Sequence, residues 1–593
     1  MKRRDFMRGA LPMIAAPLAL GGVPVRAMAE SLMTSSFTCE EVGDRVLVII
    51  QLSGGNDGIN TFVPLDQYNT YRNLRPRIGI DNVGVRKYID LDTTLPSNQQ
   101  IGLHPDLGGF KNLYDQGKLK VVQNVAYPNI NGSHFRGTDI WLSGKDGPSM
   151  VENPDSGWFG RYLDHRFTNY PDQYPSTDMP DPPGLEFGSH IVSLGFHRAM
   201  GIPMGITLSN NPSNFAAQVN GLGGALPDTF PDSDYGRELE FITDVERTTN
   251  VYAQRLTDVY NLGANSPNVT YPMTYHSNAS RFQNNPLSPQ LRTVARLLAG
   301  GIKTKVFLVR MGGFDTHENQ ALMNKPSFGG HGTLLYHLSE AVNAFMEDLK
   351  GLGLDDRVIG LTFSEFGRQV GENGTFGTDH GTSAPMVVFG KGVDGGVLGD
   401  NPDIVNINRN RLVGFEWDYR QILSSVMMDW FGVNYGTLDV MEFYDHAVNL
   451  PDLVNSNFID DQGNTVDFKA DPACDLTVDL PAPTGGGGGG GGGPTNIDLF
   501  PEGQALNLWP NPASALMKLR LESESMQPAT AGIFDLNGKL VKEISLRLFN
   551  GENTLELDVS DVKEGTYILH LMANHGNSFS AKRLGYAKFV ISR

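Results

Sequence analysis

The sequence predicts an α/β protein, a sheet with helices on both faces, followed by a small all-β sandwich on a glycine tether. Three observations lead there. Between residues 40 and 450, apolar β-type runs alternate with helical patterns. A run of glycines from Gly485 to Gly493 then interrupts the chain, where the absence of side chains rules out a core. Beyond it come short alternating strands with turn signals between them. A chain of 593 residues has room for such a division, since one domain takes roughly 100 to 200.

Composition narrows the function. Hydrophobic residues make up 40% and charged residues 19%, enough apolar material for a proper core. The formal net charge of -19 repels phosphate backbones and anionic lipid surfaces, which excludes nucleic-acid binding as the main role. Two cysteines exclude a disulfide-rich scaffold, a four-cysteine zinc site and an iron–sulfur cluster. Cys39 and Cys474 flank the α/β region; in an oxidising compartment they either pair across its two ends or both stay unpaired. Past the N-terminus no apolar run approaches the roughly 20 residues of a membrane helix.

Residues 1–29 read as an export leader. Lys2, Arg3, Arg4 and Arg8 precede a short apolar stretch, Ala10 to Leu20, and Ala27-Met28-Ala29 supplies small residues for cleavage. Arg3-Arg4-Asp5-Phe6 resembles the twin-arginine pattern, with Met7-Arg8 where that pattern has Leu-Lys. The resemblance implies passage of an already folded protein by the twin-arginine export machinery.

The α/β domain is expected over 30–470. Asp44 to Leu52 is a continuous apolar strand, ending in Ser53-Gly54-Gly55-Asn56-Asp57-Gly58. Lys305 to Arg310 is a second, ending in Met311-Gly312-Gly313-Phe314-Asp315-Thr316-His317. Arg357 to Thr362 is a third, ending in Phe363-Ser364-Glu365-Phe366-Gly367-Arg368. Gly377-Thr378-Asp379-His380-Gly381 precedes a fourth strand at Met386 to Phe389. In doubly wound folds the C-terminal strand ends build the site. Carboxylates gathered at one sheet edge repel each other unless a cation neutralises them. Asp57, Asp315, His317, Glu365, Asp379 and His380 are therefore expected to hold a divalent metal. Mixed oxygen and imidazole ligands favour zinc or manganese; calcium or magnesium would fit if the oxygens dominate.

Two further side chains are candidates for the chemistry. Ser133, in Asn131-Gly132-Ser133-His134, precedes a helix-like run, so it is a helix cap, a nucleophile, or both. Thr61 is the reserve nucleophile. Arg368 is placed to hold an oxyanion bidentately or to serve as a salt bridge. His104, His331 and His337 read as structural or solvent-facing, and the run from Gly157 to Tyr162 as core or cleft lining.

A linker over 471–498 precedes the sandwich at 499–593. Ile533 to Leu536 turns at Asn537-Gly538 into Lys539 to Ile544, the strongest hairpin signal in the chain. Leu508-Trp509-Pro510-Asn511-Pro512-Ala513, Asp535-Leu536-Asn537-Gly538-Lys539 and Glu564-Gly565-Thr566-Tyr567-Ile568-Leu569, in this order, resemble the C-terminal sorting domain of the type IX secretion system of Bacteroidota. That implies the type IX machinery as a partner, transit through the periplasm, and a surface-held or secreted product.

The motifs GGNDGIN, NGSHFRGTDIW, GGFDTHENQ, SEFGR and GTDHG resemble, from about Val46 to Phe431, the exported bacterial family called domain of unknown function 1501. That family is placed in the alkaline phosphatase and sulfatase-like superfamily. The resemblance implies an alkaline phosphatase-like sheet and a metal-dependent hydrolase of phosphate or sulfate esters. It sets Asp57, Asp315, His317, Glu365, Asp379 and His380 in metal-site roles. Phe366 stands where the superfamily has a His, and Asp315-x-His317 is tighter than the spacing usual in alkaline phosphatases, so one metal, or a pair with more oxygen ligands, is easier to build than a two-zinc centre. The rival expectation is a non-catalytic surface protein that binds glycan or a partner around a structural metal.

Overall fold

The computed structural model describes residues 35–36, 42–146, 154–188, 192–208, 212, 229–277, 282–460 and 462–475, then 477, 479–480 and 482–483. In the C-terminal part it describes 504–505, 507–509, 515–523, 527–535, 540–549, 551–573 and 582–591. The leader, the glycine run and Cys39 lie outside these residues; Cys474 is disulfide-bonded. No helix among the described residues is long and apolar enough to cross a membrane. The chain divides into two units, one ending its main run at Asp475 and the other holding the C-terminal strands.

A mixed nine-stranded sheet organises the first unit. Its strands are β1 (Val46–Leu52), β2 (Leu119–Ala126), β3 (Gly184–Phe187), β4 (Gly205–Leu208), β5 (Val306–Met311), β6 (Val358–Phe363), β7 (Ala384–Gly390), β8 (Gly396–Leu398) and β9 (Trp417–Asp418). Their order is β8-β2-β7-β6-β1-β5-β3-β4, with β9 beside β2. Three helices matter below: α1 (His134–Ser143), α2 (Asp234–Leu262) and α3 (Leu287–Ala299).

The central strands are apolar because nothing about them meets water. All seven residues of β1 are buried, with β5 and β6 parallel on either side. Only β7 runs antiparallel to its neighbours, β6 and β2. Register fixes where the loops emerge. Leu52 pairs with Met311 and Gln51 with Phe363, so the segments after β1, β5 and β6 leave from one edge. Because β7 is reversed, its first residue, Ala384, pairs with Val125 near the end of β2. The segment entering β7 and the one leaving β2 therefore reach that same edge. Trp158, Phe159 and Tyr162 are buried in the core of this unit.

Gly54 shows how tightly this edge is built. Its φ is +123°, and a Cβ there would fall 2.1 Å from the backbone nitrogen of Asp315. Only glycine lets the two strand-end loops approach so closely.

The second unit is a pair of sheets. Gln504–Ala505, Lys582–Ile591, Gly565–Ala573, Gln527–Asp535 and Leu540–Leu548 form one, in that order. Asn507–Trp509, Leu516–Ser523 and Gly551–Asp558 form the other. Met517, Leu519 and Leu521 from one sheet and Ala531, Ile533, Leu569 and Leu571 from the other share a single buried cluster. Phe534 pairs with Leu540 across the expected hairpin, whose Asn537-Gly538 turn lies outside the described residues.

Candidate metal centre

Four segments at the sheet edge deliver the candidate side chains. Asp315 and His317 follow β5, and Glu365 and Arg368 follow β6. Asp379 and His380 precede β7, and His134 is the first residue of α1. Sequence reasoning missed His134. It stands next to Ser133 in the segment read for a nucleophile, and it opens a helix rather than following a strand.

Three imidazoles meet one carboxylate oxygen. The Nε2 atoms of His317, His380 and His134 lie 3.2, 3.4 and 3.5 Å from Oδ1 of Asp315. Nε2 of His317 is 3.0 Å from Nε2 of His380. Ligand atoms of His134, Asp315 and His380 all lie within 4.8 Å of one another.

Behind each ring stands an acceptor. Nδ1 of His134 is 2.7 Å from Oε1 of Glu365, Nδ1 of His317 is 2.8 Å from Oδ1 of Asp379, and Nδ1 of His380 is 2.8 Å from the Gly132 carbonyl oxygen. A carbonyl only accepts, so Nδ1 of His380 carries the proton. The same tautomer suits the other two rings. In neutral form each Nε2 then turns a lone pair toward Asp315, as in metal-bound histidines fixed from behind, and His134, Asp315 and His380 form the tightest such group, with His317 beside it. Nε2 of His134 is buried and makes no hydrogen bond. Bonds of 2.0–2.1 Å to a tetrahedral zinc separate neighbouring ligand atoms by about 3.3–3.4 Å, close to the 3.2, 3.4 and 3.5 Å from the three Nε2 atoms to Asp315 Oδ1. The donor set fits a divalent metal.

The charges agree. Glu365's hydrogen bond raises the pKa of His134 against its burial, whereas burial and nearby cations lower that of His380. Burial alone would raise Asp315; the hydrogen bond and charge of Arg368 outweigh it and hold the carboxyl below the usual range. Asp379 is lowered by its bond from His317. About half of the Asp315, His317 and Asp379 side chains faces solvent, so the centre is open on one side.

The expected residues divide into three groups. Asp315, His317 and His380 come together, while Glu365 and Asp379 sit behind two of the rings. Asp57 is not among them: it is fully buried and pairs with Arg75 at 2.6 Å, with Gln320 also donating to it. Arg75 itself is held by Asn60, Val370 and Gln369. A guanidinium therefore neutralises Asp57, with burial opposing, and its pKa is lowered.

Arg368 also lies beneath the site rather than in it. Its buried guanidinium donates to the carbonyls of Gly54, Gly55, Phe314 and Thr378 and, at 2.6 Å, to Oδ1 of Asp315. Thr61 is buried with its hydroxyl bonded to Asn56 and to the Asp57 carbonyl. His104, His331 and His337 are buried too, none solvent-facing.

Ser133 caps α1 by position, yet its side chain makes no cap hydrogen bond and is exposed. Its neighbours on both sides belong to the centre, since the Gly132 carbonyl holds His380 and the next residue is His134.

The fold and site define an α/β protein with an imidazole–carboxylate cluster at the C-terminal edge of a mixed sheet. The family described as "Protein of unknown function (DUF1501)" matches residues 278–413, and the one described as "Secretion system C-terminal sorting domain" matches 507–584. The DUF1501 match is shorter than the expected Val46 to Phe431, and the match to the sorting domain points to export and to the cell surface or secretion. No curated protein matches the sequence. Among solved structures it is similar to dimeric latent PorU from Porphyromonas gingivalis at 17% identity, covering 15% of this chain and 9% of that one, with a TM-score of 0.13. It is also similar to a protein in the alkaline phosphatase superfamily from Vibrio parahaemolyticus, at 8% identity, 91% and 82% coverage and TM-score 0.28. The PsFucS1 sulfatase from Pseudoalteromonas sp. is similar at 9% identity, 88% and 85% coverage and TM-score 0.28.

Proposed function

We propose that this protein is an exported, surface-directed metal-dependent hydrolase of phosphate or sulfate esters. His134, His317, His380 and Asp315 hold the metal, and Glu365, Asp379 and Arg368 position them. One observation carries the reading: three rings, each fixed at Nδ1 by an acceptor, turn Nε2 toward a single carboxylate oxygen. Imidazole-rich ligation favours zinc or manganese. Solvent access supports a catalytic centre over a purely structural one, because structural zinc sites are closed on all sides.

A bound divalent ion supplies Lewis-acid polarisation of an ester oxygen and lowers the pKa of a coordinated hydroxyl. The chain's own part is positional. Arg368 fixes the Asp315 carboxylate, and Glu365 and Asp379 orient His134 and His317. Ser133 offers an exposed hydroxyl, free of cap bonding, at the N-terminus of a ten-residue helix. There the helix dipole favours negative charge on the oxygen, which would form the new bond to phosphorus or sulfur as the ester's own bond to that atom breaks, the serine proton leaving with the released alcohol.

The leader's twin-arginine pattern supports export of the folded protein through the periplasm, and the tail supports hand-over to the type IX machinery. Elemental analysis of purified protein, run beside a panel of generic phosphate and sulfate esters, tests the central claim. Metal-bound protein that turns over an ester, with Ser133→Ala inactive but still metallated, is the expected result. A fully metallated wild type that hydrolyses nothing in the panel overturns the hydrolase reading.

A further inference from the structure

A second concavity lies in the first unit, and none of the metal-centre residues lines it. It has a volume of about 540 Å³ and is bounded by the loop that follows α2, including Asn265, Ser266 and Thr270, and by Arg292 and Arg296 of α3. The two arginines are one helical turn apart on α3, and both line this space. No carboxylate lines the cavity. In a chain with 66 acidic and 47 basic residues, a hollow lined by two arginines and no acid is out of balance.

Arg296 is held ready rather than loose. Its Nε donates to the carbonyls of Tyr260 at 2.7 Å and Gly263 at 3.0 Å, and its guanidinium stacks 3.9 Å from the Tyr260 ring centre. Both Nη groups are left without a partner among the described residues. Arg292 is exposed, and its guanidinium makes no hydrogen bond or ion pair among them either. Asp348, joined to the lining residues Asn265, Ser266 and Tyr271, is fully buried and already accepts from all three. A fixed guanidinium with free terminal N–H groups loses little side-chain entropy when it takes a planar or tetrahedral oxyanion.

We propose that this cavity binds a phosphate or sulfate group carried on a sugar-sized body. Arg292 and Arg296 engage the oxyanion, and Ser266 and Thr270 lie along the remaining wall. A volume of about 540 Å³ is far more than a bare ion fills and falls in the range of small-molecule sites. The inference stands apart from the hydrolase reading, because it uses no residue of the metal centre.

Calorimetric titration of the full chain with inorganic phosphate, inorganic sulfate and a monosulfated disaccharide tests it. The disaccharide is expected to bind more tightly than either ion, and the relative strength of the two ions tells phosphate from sulfate preference. Arg292→Gln should weaken binding at least tenfold with melting temperature, metal content and ester turnover unchanged. Arg296→Gln should weaken it too, with some loss of stability from the Tyr260 and Gly263 bonds; should it fail to fold, Arg292→Gln alone decides. Rising sodium chloride should weaken binding in the wild type. No binding by the wild type, or binding that Arg292→Gln leaves intact, overturns the proposal. So does binding lost in His134→Ala instead, which would seat the anion at the metal centre.

Discussion

Replacing Glu365 by Gln isolates the carboxylate behind His134. The side chain is buried, and Oε1 accepts from the Gly54 nitrogen at 2.8 Å and faces Nδ1 of His134 at 2.7 Å, while Oε2 has no partner. Glutamine keeps an acceptor oxygen in the same place, so both bonds survive and only the charge goes. That charge makes the imidazole a better ligand; losing such a partner costs about 10- to 100-fold in metal affinity, or roughly 1.4–2.7 kcal/mol. Linkage turns this into stability. At a free metal concentration about 1,000 times the wild-type dissociation constant, binding stabilises by about 4 kcal/mol, which falls to about 1.4 after a 100-fold loss. Metal-free protein should behave oppositely. Replacing a buried carboxylate whose Oε2 has no partner should leave its stability unchanged or raise it. Competition against a chromophoric chelator gives the affinity, and thermal unfolding with and without metal gives both stabilities. If Glu365→Gln binds metal within twofold of the wild type, the ring is not tuned from behind and the proposed assignment of Glu365 fails.

Other variants separate fold from site. His134→Ala should abolish high-affinity metal binding, whereas Asp57→Asn should keep the metal but destabilise by about 3–5 kcal/mol, since it strands the buried Arg75 charge; metal analysis and urea unfolding read the two. Burial lowers the pKa of His331 to about 4, so that ring stays neutral in the fold yet protonates on unfolding below about 6.5. Its contribution is complete above that pH and declines as pH falls from 6.5 to 4, by about 3 kcal/mol in all; unfolding free energies of wild type and His331→Gln across that window should show a shallower slope in the variant. Deleting residues 499–593 should leave the protein in the periplasm, and replacing Arg3 and Arg4 by Lys should hold the precursor in the cytoplasm; fractionation decides both.

The sheet edge was legible because its strands are buried on both sides and so are apolar throughout. Val46–Leu52, Val306–Met311 and Val358–Phe363 each announce themselves by composition, and the polar residues that end each run mark the edge. Direction was not legible. Ala384–Gly390 is as apolar as its neighbours, but an apolar run carries no arrow, and only the ladder shows that it is reversed. Asp57 misled for a related reason. It ends a strand like Asp315 does, but the arginine that neutralises it lies 18 residues on in the sequence, just past a short helix, with no local pattern to tie the two together. His134 was hidden by its position at a helix start, where a polar residue is expected on capping grounds alone.

Whether the cluster could instead be a network of hydrogen bonds is a question of protons. With Nδ1 committed on each ring, Nε2 of His317 and Nε2 of His380 face each other at 3.0 Å and both face Oδ1 of Asp315. Neutral rings then set lone pair against lone pair, which repels. One proton on either ring would satisfy that pair, yet Nε2 of His134, 3.5 Å from the same oxygen, would still need its own. Two added protons would place two imidazolium charges beside the Arg368 guanidinium, itself 2.6 Å from Asp315. Burial and the charges of Arg368, His134 and His317 already act against that at His380. The proposed divalent ion would instead take the lone pairs of His134 and His380 beside Asp315, with no added proton needed on either ring. Arg368 is compatible with that proposal, since its bond to Asp315 comes from beneath and leaves the solvent-facing side open.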